Sequence, residues 1–418
     1  MRQTPIQLSI IYVVGENMVE ISERTRELGT ENAFVVLKEV NELLRQGKDI
    51  VNFCIGQPDF DTPEHIKQAA IKAIKEGKTG YTPSPGIPEL REAVAKYFSE
   101  TRGIDVKPEW VTVANGAKPF IAYTILSVTD YGKGDEVLYP NPGFPIYESQ
   151  IKANGAVPVP LPLLESKGYS FDIEYLKSKV SKKTKLLILN SPQNPTGGVF
   201  DKQTLKAIAD IVLEHEDLWV FSDEVYSRMV HDGEFMSIAS IPGMQERTII
   251  VDGTSKTYAM TGWRIGYAAN EKLAPHISRW ITNTDSCAGH PNQYAALAAL
   301  TGPQDKSRKM MLSFKRRRDL IVEGLNSIEG VKCLKPGGAF YAWPNVTEAC
   351  KIVGAEDSEE FRKRLLYDAG VAVLSDIHFG HKNKGEGEHI RFSYATSEEN
   401  IKEGLGRIKR YIQENKVH

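Results

Sequence analysis

The chain has 418 residues, 41% of them hydrophobic and 25% charged, an ordinary globular composition too long for one comfortable core. Its 52 basic and 54 acidic residues leave a net charge of −2, which excludes a general affinity for nucleic acid or for a membrane surface. Cys54, Cys287, Cys333 and Cys350 lie far apart, with no CxxC pair and no clustered histidine. That spacing excludes a disulfide framework and a structural zinc, and it points to a reducing, cytoplasmic setting with no metal site.

In chain order, LSIIYVV (8–14) is an apolar run too short to span a bilayer and without a small-residue cleavage site. It is expected as a flexible arm packed on a neighbour, or as the product of an early start codon. DTPEHIKQAAIKAIKEG (61–77) reads as a helix with Thr62 as N-cap, Pro63 in the first turn and Gly77 as stop. GIPELREAVAKYFSE (86–100) repeats the device with Pro88. From about residue 110, strand-like and helix-like segments alternate. WVTVANG precedes a helix from about Ala117, and EVLYP precedes one from about Phe144. KLLILN (185–190) leads to the helix DKQTLKAIADIVLEH and the strand LWVFSDEV (218–225); TIIVDG (248–253) and RIGYAA (264–269) follow, then a helix at about 271–285. Such alternation predicts an α/β fold with a largely parallel sheet flanked by helices on both faces.

After about residue 305 the pattern changes to a long helix, KSRKMMLSFKRRRDLIVEGLNSI, then the short strands GAFYAW, VAVL and HIRFSYA, and a final helix from about 397. Thr396 and Glu399 make a capping box for that helix. The expected division is a large domain over 63–304, a small α+β C-terminal domain over 305–418, and a segment 1–62 comprising an arm and a part folded onto the small domain.

Ligands of parallel sheets lie at the carboxyl ends of the strands. Gly116, Asn194, Asp223 and Lys256 each follow such an end, so four loops converge on one crevice. Lys256 and Arg264 are long cations between apolar strands, and the loop carrying them is expected to face that crevice.

NSPQNPTGGVF, SDEVY and SKTYAMTGWRIGY, in this order and spacing, resemble the class I aminotransferases of pyridoxal phosphate (PLP) fold type I, in particular the aspartate aminotransferase-like subgroup. GQPDFDTP, YTPSPGIPELRE, GGAFYAW and IRFSYA add to the match, which runs from about residue 20 to the C-terminus. The resemblance implies a PLP-dependent transaminase and a homodimer with a shared site, acting on an L-amino acid and a 2-oxo acid.

The residues fit that chemistry. PLP needs a lysine amine for its aldehyde, and Lys256 on a strand-end loop supplies one, which can then carry a proton between the donor's Cα and the cofactor. Asp223, too deep to stand alone, would meet the pyridinium N–H; an N-cap aspartate is the plainer alternative. Tyr226 and Asn194 would hold the phenolic oxygen, although Asn194 in QNPTGG is also a turn residue. Arg264 would take the phosphate with the backbone N–H groups of Ala117 and Lys118, and Gly116 would allow close approach. By resemblance, Tyr81 of a neighbouring subunit reaches the same phosphate, and Phe144 stacks on the ring unless it serves the core. Arg391, with the Gly56 backbone and Asn194, would grip the substrate α-carboxylate.

Substrate choice rests on Lys118, which in the resembling subgroup reads a distal carboxylate and otherwise is a solvated cation. Aspartate or glutamate with 2-oxoglutarate is the expected pair. Alanine, aromatic amino acids and LL-diaminopimelate stay open, because one pocket side chain can switch preference. Two other readings share the fold: β-elimination or cyclopropane-forming chemistry, and a PLP-sensing binding protein. The last lacks a basic recognition helix in residues 1–60.

Overall fold

The computed structural model describes residues 20–26 and 28–417. The run 8–14 lies outside them.

The long apolar runs become the centre of an eight-stranded sheet. Its order is Val111–Ala114, Gly266–Ala269, Thr248–Gly253, Trp219–Asp223, Thr184–Asn190, Glu136–Asn141, Val157–Leu164, Ser170–Phe171. The contiguous strands from Thr248–Gly253 to Val157–Leu164 are mutually parallel, whereas Gly266–Ala269 and Ser170–Phe171 run antiparallel to their neighbours.

Strands covered on both faces cannot alternate apolar with polar, which is why KLLILN and TIIVDG read as unbroken hydrophobic stretches. Their side chains still alternate in direction. Leu187, Leu189 and Val220 pack with Leu205, Ile208 and Val212 of the helix Lys202–Leu213 on one face. Leu186, Ile188, Phe221 and Val251 pack on the other with Phe120 and Ile125 of Pro119–Val128 and with Ile277 and Ile281 of Ala274–Thr284.

A second core gathers Phe314 of the helix Asp305–Asn326, Phe340, Phe392 and Ile401 of the helix Glu398–Glu414, together with Val51 and Phe53 from the N-terminal side. Val51–Asn52 pairs in parallel with Val371–Ala372. The strand Ile390–Ser393 lies between Tyr341–Ala342 and Leu374–Ser375 in a three-stranded antiparallel sheet. The apolar run VAVL thus divides between two sheets.

Two local expectations give way to tertiary partners. Thr62 caps no helix: Pro63 precedes the helix Glu64–Lys75, and the Thr62 hydroxyl donates to the Ala259 carbonyl at 2.6 Å while accepting from Trp263 Nε1 at 3.1 Å. The last helix is capped one residue later than expected, by Ser397, whose Oγ accepts from the Asn400 N–H at 3.2 Å. The helices expected from Ala117 and Phe144 begin at Pro119 and Ile146.

Candidate active site

A cavity of about 470 Å³ opens at the carboxyl ends of the parallel strands. Lys256, Asp223, Tyr226, Asn194, Arg264 and Arg391 line it, as do Gly56, Ala117, Lys118 and Phe144. Gly116 abuts it through Arg264. Tyr81 does not line it; its side chain stands 89% exposed.

Lys256 lies in the short helix Thr254–Thr257 that follows strand Thr248–Gly253. Its Nζ donates to the Gly56 carbonyl and lies 5.8 and 5.7 Å from the ring centroids of Tyr226 and Phe340. Burial pushes its ammonium down to about 8, with Arg391 and Arg264 repelling it further while Glu31 and Asp223 hold it back. At pH 7 about one amine in ten is then neutral, the form able to act as a nucleophile or a base.

Asp223 ends the strand Trp219–Asp223 and is half-buried. Burial raises its carboxyl to about 6, reinforced by Asp252 and Glu224, while the Tyr147 hydroxyl, donating to Oδ2 at 2.5 Å, works to keep it ionised. Behind it, Arg102 closes a buried charge cluster, with Nε 2.9 Å from Glu224 Oε2 and Nη2 2.7 Å from Asp252 Oδ2. Nη2 also donates to Ser227 Oγ at 2.8 Å.

Arg391 is 3% exposed on strand Ile390–Ser393. Nη1 donates to Asn194 Oδ1 at 3.0 Å, Nη2 donates to the Cys54 carbonyl, and the buried Nε has no partner among the described residues. The guanidinium lies 4.5 Å from the Tyr341 ring centroid, and Tyr341 shares a 2.8 Å hydroxyl–hydroxyl hydrogen bond with Tyr226. A Cβ at position 56 would stand 2.1 Å from the Tyr341 hydroxyl, so only glycine fits there.

Arg264 adopts a left-handed backbone, φ 56°, and donates from Nη1 to the Thr261 carbonyl at 2.9 Å and from Nη2 to the Asn115 carbonyl at 3.2 Å. Gly116, at φ 97°, faces it so closely that a Cβ would sit 2.0 Å from Nη2. Glycine therefore lets this cation lie directly on the backbone that leads into the helix Pro119–Val128. Phe144 meets Tyr147 edge-on, with ring centroids 5.7 Å apart.

Lys118 is not free. Its Nζ is 2.7 Å from Glu31 Oε2 and 5.4 Å from the Phe144 ring centroid. Sequence reasoning missed Glu31, Tyr147, Tyr341 and Arg102. Tyr341 stands inside GGAFYAW and Tyr147 three residues after Phe144, whereas no local signal marks Glu31 or Arg102.

Elsewhere, Glu165, Glu386 and His389 bring ligand-type atoms within 4.8 Å of one another. This cluster is internally satisfied. Glu165 Oε2 accepts from Asn345 Nδ2 at 2.8 Å and lies 3.3 Å from His389 Nε2, and Glu386 Oε2 accepts from the Glu165 N–H.

The family model for aminotransferase class I and II matches residues 48–408. The chain belongs to that family. An aspartate aminotransferase of Geobacillus stearothermophilus is 38% identical over 402 residues, covering 94% of this chain and 99% of the relative. The crystal structure of the aspartate aminotransferase from Rhizobium meliloti superposes with a TM-score of 0.90 at 34% identity, covering 96% of this chain and 100% of that one. The Thermus thermophilus aspartate aminotransferase with maleate gives 0.87 at 37% identity, over 94% of this chain and 100% of that one. The aminotransferase exchanges an amino group between an amino acid and a 2-oxo acid on the fold type I scaffold. Among the described residues no helix is long and apolar enough to cross a membrane.

Proposed function

We propose that this aminotransferase is PLP-dependent, favours aspartate or glutamate with 2-oxoglutarate, and works as a cytoplasmic homodimer with a shared active site. The observation that carries the reading is that Lys256, Asp223, Arg264 and Arg391 line one cavity. The residues fit the cofactor. An acid at the end of strand Trp219–Asp223 suits a ring N–H, Gly116 lets the Arg264 guanidinium lie directly against the backbone beside it, and a depressed amine shares the same lining.

When bound, PLP supplies an aldehyde that takes up the donor's amino group and a ring that withdraws electrons from its Cα. The chain does the rest. Asp223, seconded by Tyr147, would bind the ring N–H, Tyr226 and Asn194 would bind the phenolic oxygen, and Arg264 with the N–H groups of Ala117 and Lys118 would hold the phosphate. Phe144 would cover the ring, and Tyr81 of the partner subunit would complete the phosphate site. Arg391, aided by Asn194 and the Gly56 backbone, would hold the α-carboxylate and so fix the orientation of the donor's Cα–H bond. Lys256, whose amine lies in the same cavity, would accept the proton at the donor's Cα and carry it onward as the general acid. Lys118 meets the distal carboxylate of a dicarboxylic substrate. We take 63–304 as the cofactor-binding domain, and 305–418 with the segment before 63 as the smaller one, closing over the substrate.

The test adds aspartate, glutamate, alanine, phenylalanine and diaminopimelate in turn to the purified protein with PLP, following the cofactor's absorbance. Conversion to the amine form with release of the matching 2-oxo acid, fastest for the dicarboxylic donors, supports the reading. Unchanged absorbance, or release of ammonia and pyruvate, refutes it.

A further inference from the structure

Six charged side chains line the cavity among the described residues. Asp223, Lys256, Arg264 and Arg391 have work on the cofactor, the reacting amino group or the α-carboxylate. Glu31 and Lys118 remain, and they are spent on each other at 2.7 Å.

Glu31 stands at the N-cap position of the helix Asn32–Arg45, where an acidic side chain ordinarily turns back onto the first N–H groups. It makes no such bond. Instead its carboxylate crosses to a residue 87 positions away. Phe34 from the same segment and Phe144 below Lys118 flank the pair with aromatic surface in the cavity wall. The pair has no net charge, so the cation of Lys118 is already neutralised where it stands. A substrate carboxylate brought to Lys118 meets the like charge of Glu31 already in place. The field of Glu31 also reaches the depths of the site, where it is the largest charge effect supporting the ammonium of Lys256.

We propose that Glu31 is a specificity-determining residue: it stands in on Lys118 for the distal carboxylate of a dicarboxylic substrate. It thereby admits donors with uncharged side chains and reduces the advantage of aspartate over them. A dicarboxylate must displace Glu31 to be read. This rests on the reading of Lys118 given under Proposed function.

The test uses the holoenzyme as wild type, Glu31→Gln, Lys118→Gln and the double variant. Calorimetric titration with succinate and with propionate measures the distal carboxylate apart from turnover, and the ratio of kcat/KM for aspartate to that for alanine measures it in the reaction. Glu31→Gln is expected to tighten succinate relative to propionate by about threefold to fivefold, the equilibrium equivalent of one partly exposed ion pair, and to raise the ratio similarly. Both gains are expected to vanish in the Lys118→Gln background. Succinate binding that stays the same or weakens in Glu31→Gln, while still depending on Lys118, overturns the proposal alone. Succinate binding indifferent to Lys118→Gln overturns the Lys118 reading, and the role of Glu31 with it.

Discussion

The amine of Lys256 is where the structure makes its sharpest numerical claim. Burial and the nearby guanidinium groups bring its ammonium from 10.5 to about 8. At pH 7 about one molecule in ten then carries a neutral amine, against roughly one in 3000 for an ordinary lysine, a gain of about 300-fold in reactive form. In the cofactor-free protein this can be read directly. Brief pulses of formaldehyde with cyanoborohydride between pH 6 and 10, followed by peptide mass spectrometry, give the methylation of Lys256 relative to the exposed Lys96. The expected midpoint is about 8. Glu31→Gln removes an anion that stabilises the ammonium, so its midpoint must lie lower still. The folded state binds fewer protons here than the unfolded chain does, so this group adds stability as pH rises from 8 towards 10.5. A wild-type midpoint above about 10, or an upward shift in Glu31→Gln, refutes the reasoning.

Lys256→Ala is expected to lower transamination by about 10⁴-fold or more, since nucleophile and proton carrier go together; near-normal turnover in a stopped assay removes the assignment. Arg391→Lys should cost about 10- to 100-fold in kcat/KM for every amino donor, because two fixed donors become one flexible charge; a loss confined to aspartate and glutamate would mean that it reads the side chain. Tyr147→Phe removes the donor to Asp223, so its carboxyl rises from about 6 and cofactor retention falls by about tenfold, most steeply as pH drops below 7; equilibrium dialysis across pH checks the slope. Arg102→Met strands Glu224 and Asp252, both 1% exposed, and should destabilise the fold by roughly 3–5 kcal/mol, seen as a lower unfolding temperature.

The parts of this protein legible in the sequence are those where burial forces a local pattern. KLLILN and TIIVDG are central strands because a sheet covered on both faces tolerates no polar alternation, and TIIVDG occupies the bounds read from it. Asp223, Lys256 and Arg264 stood out because charge abutting such runs needs a reason. What stayed hidden depends on partners distant in the chain. Arg102 lies two residues beyond the helix read over 86–100 and has no local partner to mark it, because its acids lie 122 and 150 residues on. Tyr147 reads as one more core aromatic until strand Trp219–Asp223 puts a carboxylate beside it. Thr62 carries a cap signal that Ala259 and Trp263 outbid. Tyr81 lies exposed on its own chain, and a single sequence cannot place a residue whose proposed role is in another subunit.

The antiparallel strand Gly266–Ala269 has a mechanical meaning. Gly253 pairs with Gly266, so the loop 254–265 leaves and re-enters the eight-stranded sheet at one rim. Lys256 and Arg264 are therefore two prongs of a single bracket, and no hinge elsewhere can change the distance between them. Arg391 rides on the separate three-stranded sheet. A displacement of one sheet against the other would change the distance from the Lys256 amine to the Arg391 guanidinium while leaving Lys256 and Arg264 on one frame. On the roles proposed for these residues, a substitution between the two sheets would change the span offered to a donor without touching the bracket itself.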